Sequence, residues 1–201
     1  MATAWVASVK NTKTLKVFSR LSGKWVNIFS LAITEFNGLS RRYGLGVKLA
    51  KAGGDSDANI VMEVAAGEAS FEYGGEKATA SFGQDAVHGK TSLFAGTDGI
   101  EKAVIFLPGD VSDLNTKMME VIAVHEFIHG CGLSNADHGT DGVFYSPLVK
   151  SNGKMIVPQQ GKEKRPMPPP DSHHYNCRRE PGDDGIKAPG ITILDVPDCP
   201  S

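Results

Sequence analysis

Cysteine is scarce in this chain, three in 201 residues, and none precedes position 131. So few thiols exclude a disulfide-stapled scaffold, so a hydrophobic core must hold the fold. An excess of charge of one sign is missing too. Lys and Arg total 21 against 23 Asp and Glu, a formal net charge of −2. With no basic stripe and no RNP-like motif, that balance argues against nucleic acid as the main partner. No apolar run approaches the ~20 residues that a membrane-spanning helix needs. The start, Met1-Ala2-Thr3-Ala4-Trp5, lacks the basic and apolar regions of a secretion signal. Cytoplasmic action, unconventional release and a phage origin all stay open on that reading. Internal repeats and phosphate-cradling glycine loops do not stand out either. What is present is 40 % hydrophobic sequence, enough at this length to bury a real core.

Periodicity gives the organisation. Thr14-Leu15-Lys16-Val17-Phe18 reads as a strand, and Trp25, Ile28, Phe29, Ala32, Phe36 and Leu39 then recur at helical spacing. Leu45 to Ala50, Asn59 to Val64 and Ala103 to Leu107 are apolar or β-branched runs bounded by Gly, Asp and Pro, as central strands are. Asn115 is a candidate N-cap for a second long helix, apolar on most sides through Met118, Met119, Val121, Ile122, Val124, Ile128 and Cys131 and therefore expected to be buried. Gly132 follows the last periodic residue, where a left-handed residue would stop the helix. Residues 149–201 hold most of the prolines and little periodicity, so an irregular region with a loose tail is expected there.

The second helix carries the chemistry, in the run Val124-His125-Glu126-Phe127-Ile128-His129-Gly130-Cys131-Gly132-Leu133. The four-residue step from His125 to His129 puts both imidazoles on one face, a turn apart, where their nitrogens converge on a single ion. Glu126 sits one residue round, outside the ligand set yet within reach of a water on the metal, where a general base belongs. Two imidazoles and a carboxylate in a buried helix require hydrogen bonds or a metal, and a metal satisfies all three together. Cys131 points about 200° round the helix from His129 and reads as core. Cys177 and Cys199 bracket a Gly/Pro-rich stretch and either pair or remain thiols. His173-His174 is either a second ion site or a solvated pair.

His125, Glu126, His129 and Gly132 match, position for position, the signature HExxHxxGxxH of the metzincin clan of zinc peptidases, which the chain resembles. The next position departs from it. Asn135 stands where the family has its third ligand, and a neutral amide oxygen is a poor zinc ligand beside imidazole or carboxylate. His138 lies three residues further on and is the favoured third ligand, with Asp137 and Asn135 as alternatives. The order strand, long helix, strands and zinc helix resembles the matrixin-like and astacin-like N-terminal subdomain. That likeness implies an α+β fold: a twisted, mostly parallel five-stranded sheet with an antiparallel edge strand, two long helices including the zinc helix, and an irregular C-terminal subdomain. Gly89 to Gly96 falls where those families place the edge strand, which pairs with an extended substrate; an ordinary sheet edge is the other reading.

The resemblance implies one catalytic domain over 1–201, with an N-terminal α/β subdomain at 1–133 and an irregular C-terminal subdomain and tail at 134–201. Met155 or Met167 would supply the family's methionine turn. Tyr145 would either assist the oxyanion or sit in the core or rim. No cysteine precedes the zinc helix in this sequence, so the thiol-based latency of some matrixins is not expected. The implied activity is zinc-dependent endopeptidase: Zn²⁺ on His125, His129 and His138, with Glu126 as general base. The expected partner is a protein or peptide substrate, without nucleic acid or membrane, and the chain is expected to be a monomer. A zinc-bearing structural or binding module without peptidase activity is the competing reading.

Overall fold

The structure, a computed structural model, describes residues 4–43, 45–83, 88–133, 149–151, 154–156 and 191–195. A short helix, α1 (Ala7–Thr12), ends at Lys13 in the left-handed region and leads into β1 (Thr14–Arg20). The 19-residue helix α2 (Trp25–Tyr43) follows, then β2 (Lys48–Lys51) and β3 (Ile60–Ala65). A hairpin comes next, β4 (Glu68–Tyr73) and β5 (Glu76–Ser81). Strands β6 (Lys90–Gly96) and β7 (Gly99–Pro108) precede α3 (Thr116–Gly130). Beyond it are the small hairpin β8 (Val149–Ser151) and β9 (Lys154–Ile156), and the strand β10 (Thr192–Asp195).

Among the described residues six strands form the main sheet, in the order β10-β6-β7-β3-β1-β2. The four strands β7, β3, β1 and β2 run parallel, β6 lies antiparallel to β7, and β10 lies antiparallel to β6. The mixed α+β architecture with a mostly parallel sheet matches the sequence reading. Three details differ. The sheet has six strands rather than five, because β10 adds itself outside β6. Gly89 to Gly96 is therefore antiparallel, as expected, but is not the margin of the sheet. The strand expected from Leu45 begins at Lys48, since the Leu45 N–H is still closing helix α2 on the Ser40 carbonyl at 2.9 Å and Leu45 packs in the core.

Both sheet faces are covered, which explains why the Ala103–Leu107 run is apolar without alternation. One face presents Leu15, Val17, Ile60, Met62, Leu93, Ile105 and Leu107 to α2 and α3. The helices meet through Phe36 and Phe127, edge to face with ring centroids 6.0 Å apart. The other face, with Val61, Ala65, Phe94, Val104 and Phe106, is covered by Phe71, Ala78 and Ala80 of the β4–β5 hairpin. That hairpin turns at Gly74-Gly75, φ +60° and +87°, the left-handed pair that a tight two-residue turn demands. At the far margin the Asn37 side chain imitates a neighbouring strand: Nδ2 donates to the Leu49 carbonyl at 2.9 Å and Oδ1 accepts from the Leu49 N–H at 2.8 Å. The edge strand β2 is thereby satisfied by α2 and its outer polar groups are blunted. Among the described residues no helix is long and apolar enough to cross a membrane.

Candidate active site

Helix α3 begins as its sequence dictates. Asn115 Oδ1 accepts from the Met118 N–H at 3.0 Å, satisfying one of the N–H groups that a helix start leaves orphaned. The next three turns are buried nearly all round, by Met118, Met119, Ile122, Ala123, Val124, Phe127 and Ile128. This burial carries His125, Glu126 and His129 into the protein, at 8 %, 3 % and 3 % exposure. At the far end the Trp5 indole N–H donates to the Gly130 carbonyl at 3.0 Å, and Gly132, at φ +96°, turns the chain back. Leu133 consequently lies over the last turn. Cys131 is half-buried and packs against the core.

The returning chain fixes an imidazole. His129 Nδ1 lies 2.8 Å from the Leu133 carbonyl oxygen, which can only accept, so Nδ1 carries the proton and donates it. In the neutral ring, Nε2 of His129 then presents a lone pair, the form a metal ligand needs, with its other nitrogen tied to a backbone carbonyl. Nε2 of His125 is 3.0 Å away, and the two rings stand at 81° to each other. Two nitrogens on one tetrahedral zinc sit about 3.3 Å apart at Zn–N distances of 2.0–2.1 Å. The pair therefore fits a shared zinc with little movement. Without an ion the same separation is a hydrogen bond, His125 Nε2–H donating to His129 Nε2.

Glu126 is served from β6. Its Oε2 accepts from the Thr91 hydroxyl at 2.7 Å, in a buried setting. The space for its side chain exists because residue 89 is glycine. A Cβ there would lie 2.6 Å from Glu126 Cγ and 2.8 Å from the Phe106 carbonyl oxygen. Gly89 and Thr91 were in the sequence as parts of the antiparallel strand, but nothing local tied them to the helix: the Thr91–Glu126 bond spans 35 residues. Trp5, read in the sequence only as part of the N-terminal stretch, also turns out to stabilise the end of α3.

The structure thus brings together His125, Glu126 and His129 and adds Thr91 and Gly89. His138, Asp137 and Asn135 lie outside the described residues, as do Tyr145, Met167, His173, His174, Cys177 and Cys199. Met155 falls in β9. Among the described residues no set of three metal-ligating side chains is assembled. No family model and no curated protein matches this sequence.

Elsewhere, Lys102 is buried, with Nζ donating to the Asp55 and Ala58 carbonyls at 2.7 and 2.8 Å and lying 3.2 Å from Asp55 Oδ1. Arg20 bridges Asp55 and Glu63. Burial pushes the Asp55 carboxyl up, but the hydrogen bond and charge of Lys102, joined by those of Arg20, outweigh it and hold Asp55 below its ordinary value of 3.8. This network ties the turn at Asp55–Asp57 to β1 and β7 and is a structural device.

Proposed function

We propose that this chain is a zinc-dependent endopeptidase with a glutamate general base, in keeping with its resemblance to metzincins. The observation that carries the reading is the seat of Glu126. Its carboxylate is buried on the same turn as the two converging imidazoles, held by Thr91 and given room by Gly89. A carboxylate seated beside two converging imidazoles, oriented by a hydroxyl from another element, is placed where a general base for a metal-activated water belongs.

His125 and His129 would hold the ion, with His138 as third ligand and Asp137 or Asn135 as alternatives. Zinc, when bound, supplies Lewis-acid polarisation of the peptide carbonyl and acidifies water. Glu126 takes the proton from the attacking water and passes it to the leaving amine. The Thr91 hydroxyl donates to the carboxylate and so orients it for that role. The Leu133 carbonyl holds His129 in the ligating tautomer.

Glu126→Gln tests this reading. The change keeps size and leaves the fold and zinc content intact, while hydrolysis of an unfolded polypeptide is expected to fall by about 10²- to 10⁴-fold. Wild-type turnover in the zinc-loaded variant would remove Glu126 from the mechanism. Stoichiometric zinc in both proteins without cleavage by either would instead support a zinc-bearing structural or binding module.

A further inference from the structure

The strand that serves the Glu126 carboxylate already has a neighbour on its outer side. Thr192, Ile193, Leu194 and Asp195 of β10 pair antiparallel with Ala95, Phe94, Leu93 and Ser92 of β6. Beneath them Thr91, Ser92, Leu93 and Phe94 are fully buried, whereas Ile191, Ile193 and Leu194 are only half-buried and Thr192 is exposed. The added strand has an apolar seat on each side of the sheet. Ile191 and Ile193 pack on the hairpin-side cluster, and Leu194 on the helix-side cluster. Gly74 leaves the space that Ile191 fills, since a Cβ there would run into Ile191 Cγ1. The direction matters as much as the seat. β10 runs from Ala95 toward Ser92, the residue next to Thr91, and so points at the end of β6 where Glu126 is held.

We propose that β10 is a tethered occupant of a peptide-binding lane along β6, one that an extended polypeptide with aliphatic side chains at alternating positions takes in its place. The proposal rests on the endopeptidase reading for its consequence, since a strand in that lane excludes substrate. Its own basis is separate. Strand addition draws on main-chain hydrogen bonds that any extended sequence can make, and alternate side-chain seats supply the selectivity. A four-residue, half-exposed strand belongs to the low-stability end of a fold and can be exchanged, whereas the buried β6 cannot. An intramolecular occupant lowers the apparent affinity of a competing peptide by the fraction of time that the lane is free.

A reversible lock on the full chain tests this. Thr192 and Ala95 are direct partners in the ladder, at a Cα separation typical of facing strand residues and within disulfide reach. In Thr192→Cys with Ala95→Cys, the oxidised protein, its cross-link verified by peptide mapping, is expected to bind a fluorescent peptide of residues 190–196 at least about tenfold more weakly than the reduced protein. Reduction restores binding. Hydrolysis should follow through KM rather than kcat. Equal peptide binding by the locked and reduced forms overturns the proposal. Loss of binding on locking with no cleavage by either form upholds the lane and overturns the peptidase reading instead. A second variant removes dependence on the cross-link: Ile193→Thr with Leu194→Ser weakens the occupant's apolar seats and is expected to tighten peptide binding several-fold. Unchanged or weaker binding in that protein counts against the proposal.

Discussion

Replacing Gly89 by alanine inserts one methyl group into the space that admits Glu126, and its effect follows from three distances. The new Cβ would lie 2.6 Å from Glu126 Cγ, 2.9 Å from Cδ and 2.8 Å from the Phe106 carbonyl oxygen. All three are shorter than real carbon contacts, and one obstacle is backbone of the neighbouring strand, in register with Lys90. Glu126 is buried and tied to Thr91, so it has no open side to which it can retreat. Either the start of β6 shifts or the carboxylate leaves its hydroxyl partner. Overpacking of this kind costs about 1–3 kcal/mol, which in a chain of this size lowers the melting temperature by about 2–12 °C. With Glu126 as the proposed base, a displacement by about 1 Å is worth ~10²-fold in rate. Circular-dichroism melts and kcat/KM on an unfolded polypeptide measure both. Gly38→Ala is the control of opposite sign, because nothing lies within 4 Å of a Cβ there and the residue is inside α2; it should gain about 0.5–1 kcal/mol. A Gly89→Ala protein that melts and cleaves like the parent would refute the account of how Glu126 is seated.

Exchanging Asn115 for alanine removes the α3 cap and should cost about 1 kcal/mol, read in a urea titration as a lower midpoint with unchanged slope. For the third ligand, His138→Ala is expected to abolish stoichiometric zinc whereas Asn135→Ala retains it; the reverse pattern in atomic absorption would show that the ligand was misassigned. Because Asp55 has a depressed pKa, its contribution to stability is full above the ordinary value of 3.8 and is lost as the pH falls through the lower folded value. Melting temperature should therefore drop as pH is lowered below about 4, and Lys102→Met should make that slope shallower, since Lys102 is the stronger of the charges holding Asp55 down.

How far the sequence could be read depended on how local each cause is. Helix α3 was legible down to its cap and its stop, because Asn115, the buried apolar run and Gly132 act within a few residues of one another. Strands β3 and β7 were legible as apolar runs because both of their faces are covered. The β4–β5 hairpin was missed although Gly74-Gly75 marks its turn. Its strands expose one face, and residues such as Glu68, Glu72, Glu76 and Lys77 dilute the alternation. Strand β10 lies in Pro- and Gly-rich sequence and owes its conformation to a strand about a hundred positions earlier, so no window around it carries the signal. The same holds for Gly89 and Thr91. Each is unremarkable in its own neighbourhood and acquires its role only when β6 is laid against α3.

That nonlocal provision bears on the choice between an enzyme and a structural zinc module. A closed structural site requires its ligands and the groups that orient them, which the Leu133 carbonyl does for His129. It requires nothing of a neighbouring carboxylate. Here two positions at the start of β6, one without a side chain and one offering a hydroxyl, are arranged around Glu126. The fold thus buries the Glu126 carboxylate on the helix turn that carries His125 and His129. The hydrolytic reading gives that placement a role, proton transfer to and from a metal-activated water, which the structural reading does not supply, and for that reason we prefer it.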